Sequence, residues 1–214
     1  MTDSINAEDS SGSKANVAFI KSLVASDYAV TVIHYTQREI QIEGAICILA
    51  EQRKNNLYYI FGGIQRTVQR NLGVDWSVFL ENSFGFSFAF FNDSKSIVKS
   101  IRSLNIRDFD LVITLSKGES FRPHHAVLQL PVWHLKWLAY VHDPYPFQNY
   151  PWPYTFVPKG AKQKDHFFEK VAVHCKFAGF PSCLLADHVA GFYPEFKEKS
   201  VVIPHQYDNL ISGV

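Results

Sequence analysis

Five short runs, apolar almost from end to end, constrain this chain more than anything else in it: "YAVTVIHY", "AICILA", "FDLVITLS", "LKWLAYVH" and "SVVIP". A strand with one face in water alternates apolar and polar residues, whereas a strand that is apolar throughout needs cover on both faces. Helical spacing fills the intervals. After Ser13, read as an N-cap, Ala15, Ala18, Phe19 and Leu23 share one helical face, with Val17, Ile20 and Val24 beside it. Residues 57–72 lean helical despite Gly62 and Gly63. "NDSKSIVKSIRSLN" (92–105) opens on capping residues and spaces Ile97, Val98 and Ile101 as a helix does. "HHAVLQLPVWHL" predicts a short helix broken at Pro131, and "KQKDHFFEKVAVHCKFAG" is amphipathic. A short buried segment at 181–184 and a helix over 185–192 precede the last strand. Strands separated by helices predict an α/β fold, a doubly wound parallel sheet with helices on both faces. Ligands of such sheets bind outside the carboxyl ends of the strands, so the search for a site belongs there.

The 214 residues, 47% hydrophobic, suffice for one large domain. A formal charge of +1 supplies no global basic field to recruit nucleic acid or an acidic membrane. Cys47, Cys175 and Cys183 show no CxxC spacing, which fits a reducing compartment. Met1 leads into the polar "TDSINAEDSSGSK" rather than a signal peptide. No apolar run approaches the roughly 20 residues of a membrane helix. A cytoplasmic location is expected. Residues 1–13 read as a polar loop, 14–208 as the folded domain and 209–214 as the start of a linker.

The richest stretch is "LAYVHDPYPFQNYPWPY" (138–154), where an apolar strand ends in His142-Asp143. An imidazole there can hydrogen-bond a substrate hydroxyl or move a proton near neutral pH. Asp143 can serve as a base or accept turn amides ahead of Pro144. Four prolines and five aromatics follow within eleven residues, which makes a stiff, flat wall suited to a sugar or lipid. The loop "EDSSGSKAN" places Ser11, Gly12 and Ser13 at a helix N-terminus, where amides favour a phosphate, although plain N-capping explains it as well. His124 and His125 head a helix on the same rim as His142. "DFD" (108–110) and "FGGIQR" have the outline of a metal motif and a phosphate cradle but lie where core and helix are expected. The spacing of the nine histidines requires no metal.

Taken in order, the glycine-containing loop before the first helix, "YAVTVI", "FDLVITLS", "LKWLAYVHDPYP" and "HVAGFYPEFKEKSVVIPHQYD" resemble the N-terminal, acceptor-binding domain of glycosyltransferase family 4. That domain is the Rossmann-like first half of a GT-B fold. The resemblance covers nearly the whole chain and is clearest from Phe109 to Asp208. It implies transfer of a hexose with retention from a nucleotide-sugar, UDP- or GDP-linked, to a glycan or glycolipid, without a metal, in polysaccharide biosynthesis. It also implies roles. His142 would approach the transferred sugar, with Asp143 holding the imidazole or the turn. Ser11, Gly12 and Ser13 would lie near the donor phosphates, and Arg122, His124, Tyr145 and Trp152 would contact the acceptor. A glycolipid acceptor would bring peripheral membrane contact without a transmembrane segment.

The chain departs from the family in three places. The usual double glycine of the loop is missing, the stretch before the loop is polar where the family has an apolar strand, and a donor domain would follow "IPHQYD". The expectation is therefore a domain inactive alone, completed by a donor-binding domain in cis or trans. Its central sheet position would be filled by a neighbouring strand or another chain, or the domain would be marginally stable. A non-catalytic carbohydrate-binding or interaction module, and the acceptor subunit of a split transferase, are the alternatives.

Overall fold

The computed structural model describes residues 1–72, 77–116, 120–143, 145, 146, 157 and 159–206. In chain order the elements are α1 (Ser11–Ala25), β1 (Val30–His34), β2 (Ala45–Leu49), α2 (Leu57–Leu72), α3 (Ser77–Phe84) and α4 (Phe88–Arg102). They continue with β3 (Val112–Leu115), α5 (Arg122–Leu128), α6 (Pro131–His134), β4 (Trp137–Tyr140), α7 (Ala161–His174), β5 (Phe177–Phe180), α8 (Cys183–Phe192) and β6 (Ser200–Val202). Among the described residues every strand pairing is parallel: β1 with β2, and β3, β4, β5 and β6 in sequence. This is the mixed α/β, parallel-sheet architecture that the apolar runs predict.

The polar N-terminus joins the two halves of the sheet. Thr2 bridges in parallel to His34 on one side and Leu115 on the other. The Thr2 amide donates to Ile33 O at 3.0 Å, Tyr35 N donates to Thr2 O at 3.3 Å, Leu115 N donates to Met1 O at 2.8 Å, and the Met1 amine donates to Ile113 O at 2.6 Å. The order across the molecule is thus β2, β1, the Thr2 segment, β3, β4, β5, β6. The central position expected to need a neighbour or a second chain is filled by the chain's own first residues. Reading residues 1–13 as a polar loop is corrected accordingly: Thr2, Asp3, Ser4, Ile5 and Asn6 are all buried. Backbone pairing serves any residue type, and the side chains of Thr2, Ser4 and Asn6 are hydrogen-bonded locally, the last two to Asp9. Thr2 Oγ1, for example, donates to Ser4 O and accepts from Asn16 Nδ2 at 2.8 Å.

Side-chain alternation sends the strands into two cores. Ile33, Val112, Trp137, Ala139, Val141, Ala178 and Phe180 join residues of α4, α5, α7 and α8. Val32, Leu115, Leu138 and Tyr140 meet Val17, Phe19 and Ile20 of α1, together with Ile5 and Ile42. Trp137, fully buried, donates its indole N–H to Thr114 Oγ1 at 2.7 Å. Gly179 in β5 is where Tyr140 needs room: a Cβ there would stand 2.6 Å from Tyr140 Cδ2. The tyrosine hydroxyl reaches across to donate to Ile203 O at 2.6 Å.

Several boundaries move. The N-cap of α1 is Ser10, whose hydroxyl accepts from Ser13 N, so Ser13 lies inside the helix. The fourth helix starts at Phe88, capped by Ser87, ahead of the "NDSKS" that reads as its start. Residues 177–179, read as the tail of α7, belong to β5 instead, because Lys176 N and Ala178 N bond to Trp137 O and Lys199 O. Sheet pairing outweighs local amphipathicity there. Helix α3 has no counterpart in the sequence reading.

Candidate functional site

Because all strands run parallel, their carboxyl ends share one edge of the molecule. The chain leaves the Thr2 segment toward α1, β1 and β2 on one side, then crosses to β3 on the other. The direction of winding therefore reverses between the Thr2 segment and β3, and a crevice at such a reversal is where open α/β sheets bind ligands.

An ionic cluster occupies that crevice. Arg122, the first residue of α5, donates from Nε to Asp93 Oδ2 at 2.9 Å and holds Nη1 3.6 Å from Asp3 Oδ1. The Tyr35 hydroxyl donates to Asp93 Oδ1 at 2.7 Å. Asp3, Ser4, Asp9, Tyr35, Thr36, Gln37, Asp93 and Arg122 line a cleft of about 200 Å³. Desolvation pushes the Asp93 carboxyl above its ordinary range, held back by the Tyr35 hydrogen bond and the Arg122 charge. Burial pushes the Tyr35 phenol up as well. A small cleft offering carboxylates, a guanidinium, hydroxyls and an amide together matches the mixed donors and acceptors of a polyhydroxylated ligand.

Further along the same edge stands His142, two residues past the end of β4 and only 9% exposed. Its ring packs edge-on to Tyr140 (centroids 4.6 Å apart) and stacks on His205 at 5.4 Å with 7° between planes. Neither ring nitrogen has a hydrogen-bond partner among the described residues, and the same holds for the fully buried His124, which lies beside Phe121 and Trp137. Desolvation, then the neighbouring His205, lowers the His142 pKa to about 3. Desolvation, with a smaller contribution from His142, brings His124 to about 3. Both rings are neutral at pH 7, so each presents one nitrogen able to accept and one able to donate. An unpaired buried nitrogen costs on the order of 1–3 kcal/mol, which makes His142 a group poised for a hydroxyl that the described residues do not supply.

The residues singled out in the sequence are placed as follows. His142 is at this edge, with the half-buried Asp143 next to it. Arg122 is turned toward Asp3 and Asp93, and His124 points into the protein. Tyr145 is buried, its hydroxyl donating to Asp165 Oδ1 at 3.1 Å and its ring against Phe121 and Phe168. Trp152, with most of the proline-aromatic stretch, lies outside the described residues. Ser11, Gly12 and Ser13 make the first turn of α1, which follows directly from the Thr2 segment. The Ser13 amide is taken by Ser10, and its hydroxyl lies 3.1 Å from Ser10 Oγ.

Asp3, Tyr35 and Asp93 were missed. Asp3 hides in a run that reads as loop, and Asp93 in one that reads as a helix cap. Only Tyr35, just past the strand "VTVIH", carries a positional signal. Among the described residues no group of three His, Cys, Asp or Glu is arranged to hold a metal ion. No protein-family model matches the chain, and comparison with curated proteins finds no match.

Proposed function

We propose that this chain is the acceptor-binding domain of a retaining hexosyltransferase, a Rossmann-like half of a GT-B enzyme of the glycosyltransferase family 4 type. The single observation that carries the reading is His142: a neutral, buried imidazole with no partner among the described residues, at the carboxyl edge of the central strand β4. Its role is to accept a hydrogen bond from the attacking hydroxyl of the sugar acceptor and fix that oxygen beside the leaving phosphate. The contribution is positional and electrostatic, with no covalent intermediate on the protein. Asp143 braces the turn. The cleft around Arg122, Asp3 and Asp93 receives acceptor hydroxyls. The first turn of α1, at Ser11 and Gly12, offers amides and a positive dipole end to the donor phosphates.

The donor would be a UDP- or GDP-hexose held mainly by a second domain, in cis or trans, and the acceptor a cytoplasmic glycan or glycolipid. The test is a transfer assay with UDP- and GDP-sugars, with and without a donor-binding domain, alongside His142→Ala. Transfer that requires the donor domain and falls at least about a hundredfold in His142→Ala, in line with lost acid–base positioning, supports the reading. Transfer indifferent to the substitution removes His142 from the chemistry. No transfer with any donor domain assigns the chain to non-catalytic carbohydrate binding.

A further inference from the structure

The two edges of the sheet are finished differently. At one edge β6 is three residues long and follows Lys199. Ile203 N turns inward to Phe180 O at 2.8 Å, so the next outward position is that of Pro204, which has no N–H to offer. Short length, lysine and proline are the usual means of keeping an edge from pairing. At the other edge β2 has none of them. Its five residues, Ala45, Ile46, Cys47, Ile48 and Leu49, are all apolar and none is buried, Ile46 being 67% exposed.

Alternation along the ladder fixes which main-chain groups β2 presents. Ala50 N donates to His34 O at 2.8 Å, while Ile33 O and Tyr35 N bond to Thr2 on the other side of β1. Strand β2 therefore faces β1 through Ile46, Ile48 and Ala50, and Cys47 and Leu49 turn their N–H and C=O groups outward. Among the described residues no hydrogen bond reaches these four groups. The amide of Ala45, the remaining outward residue of the strand, is taken by Ile42 O at 3.0 Å. An apolar edge with free, regularly spaced amides is a template for another strand.

We propose that β2 pairs antiparallel with β2 of a second copy of this chain, about a two-fold axis at Ile48, and so continues the sheet across both molecules. At this register Cys47 of one copy faces Leu49 of the other, and each such pair exchanges both amide hydrogen bonds, four in all. Ile48 meets its own copy on the axis, and the exposed Ile46 stands across from Ala50, whose small side chain leaves room for it. Glu43, on the turn before β2, comes opposite Arg53, and symmetry repeats the pair. Arg53 lines an open groove of about 840 Å³ with Lys54, Lys99 and Glu51, which the turn of the second copy meets. Neighbouring registers lose this match: an axis at Cys47 sets Glu43 against Glu51, and one at Leu49 sets it against the neutral Asn55. Opposite charges across strands stabilise a pairing and like charges oppose it. A foreign peptide would use the same amides but leave the match between Glu43 and Arg53 unused. Each copy has one such edge, so assembly closes at two. The contact is independent of the transferase reading, since β2 and His142 lie on opposite sides of the Thr2 segment.

The test is sedimentation velocity of the whole chain over a series of concentrations, with circular dichroism to confirm that each variant folds. A monomer–dimer equilibrium is expected. Cys47→Pro deletes an N–H that faces away from β1, a place where an edge strand tolerates proline, and is expected to weaken dimerisation by about tenfold or more through two lost hydrogen bonds. Glu43→Arg and Arg53→Glu are each expected to weaken it about fivefold, and the double variant to restore it. These two change surface charge alone and carry the test if Cys47→Pro fails to fold. In a Cys183→Ser background, Ile48→Cys is expected to give a disulfide-linked dimer on oxidation with diamide, since residues opposed on the axis lie within bridging distance. A monomer at every concentration, assembly that grows beyond two, or a dimer indifferent to the charge swap and not linked through residue 48 would overturn the proposal.

Discussion

At the scale of single residues, the buried imidazoles tie the site to the stability of the fold. His142 and His124 take up a proton near pH 6.5 when unfolded but only near about 3 when folded. Between those values the unfolded chain binds more protons, so stability is complete above pH 6.5 and is lost as pH falls through the window. These two groups contribute a slope of about 3 kcal/mol per pH unit near pH 5, and burial lowers His125 (to about 4), His34 and His134 in the same direction. Urea denaturation between pH 7 and pH 4.5 should show the midpoint falling steeply, and His142→Phe should remove one group's share of the slope, about 1.4 kcal/mol per pH unit. Arg122 is the second sensitive residue. Arg122→Ala leaves the buried Asp3 and Asp93 without their guanidinium, and a loss of about 3 kcal/mol is expected in the same assay. Arg122→Lys should recover only part of it, since an ammonium lacks the planar fork that faces both carboxylates.

At the scale of elements, β4 and β5 show how tightly the site's support is packed. Gly179→Ala would place a methyl 2.6 Å from Tyr140 Cδ2 and 3.1 Å from Leu138 Cδ2. Overpacking of this kind costs about 1–3 kcal/mol, measurable as a lowered denaturation midpoint. Because His142 leans on Tyr140, the histidine Hε1 resonance should move as well. Elements of this sort were legible in the sequence when periodicity was strong and the neighbour was a sheet: β1, β3, β4 and α1 are read from their apolar spacing alone. The strand at Phe177–Phe180 was not, because its first three residues continue the amphipathic run of α7 and only pairing with β4 and β6 sets them apart. Helix α3 was missed because its apolar residues face outward, so no buried stripe marks it. Of the site, His142 was legible from its place at a strand end. The partners of Arg122 were not, because Asp3, Tyr35 and Asp93 meet only once the fold brings together positions far apart in sequence.

At the scale of the whole molecule, the fold depends on a few polar residues at its start. The Thr2 segment holds β1 against β3, and the crevice at which winding reverses exists only because it does. Thr2→Pro removes the amide that donates to Ile33 O and leaves that buried carbonyl unpaired. A loss of about 1–3 kcal/mol is expected, together with faster amide hydrogen exchange at Tyr35 and Leu115, whose amides bond to this segment. The central claim is that the carboxyl edge of the assembled sheet binds sugar. It is tested most directly by titrating the ¹⁵N-labelled chain with hexoses and short oligosaccharides and following amide and histidine-ring resonances by NMR. The account predicts saturable shifts confined to Asp3, Ser4, Thr36, Arg122, His142 and their neighbours, with the His142 ring shift lost in Arg122→Ala or displaced. Shifts centred on α7 and α8, or none at concentrations where sugar-binding domains saturate, would contradict it.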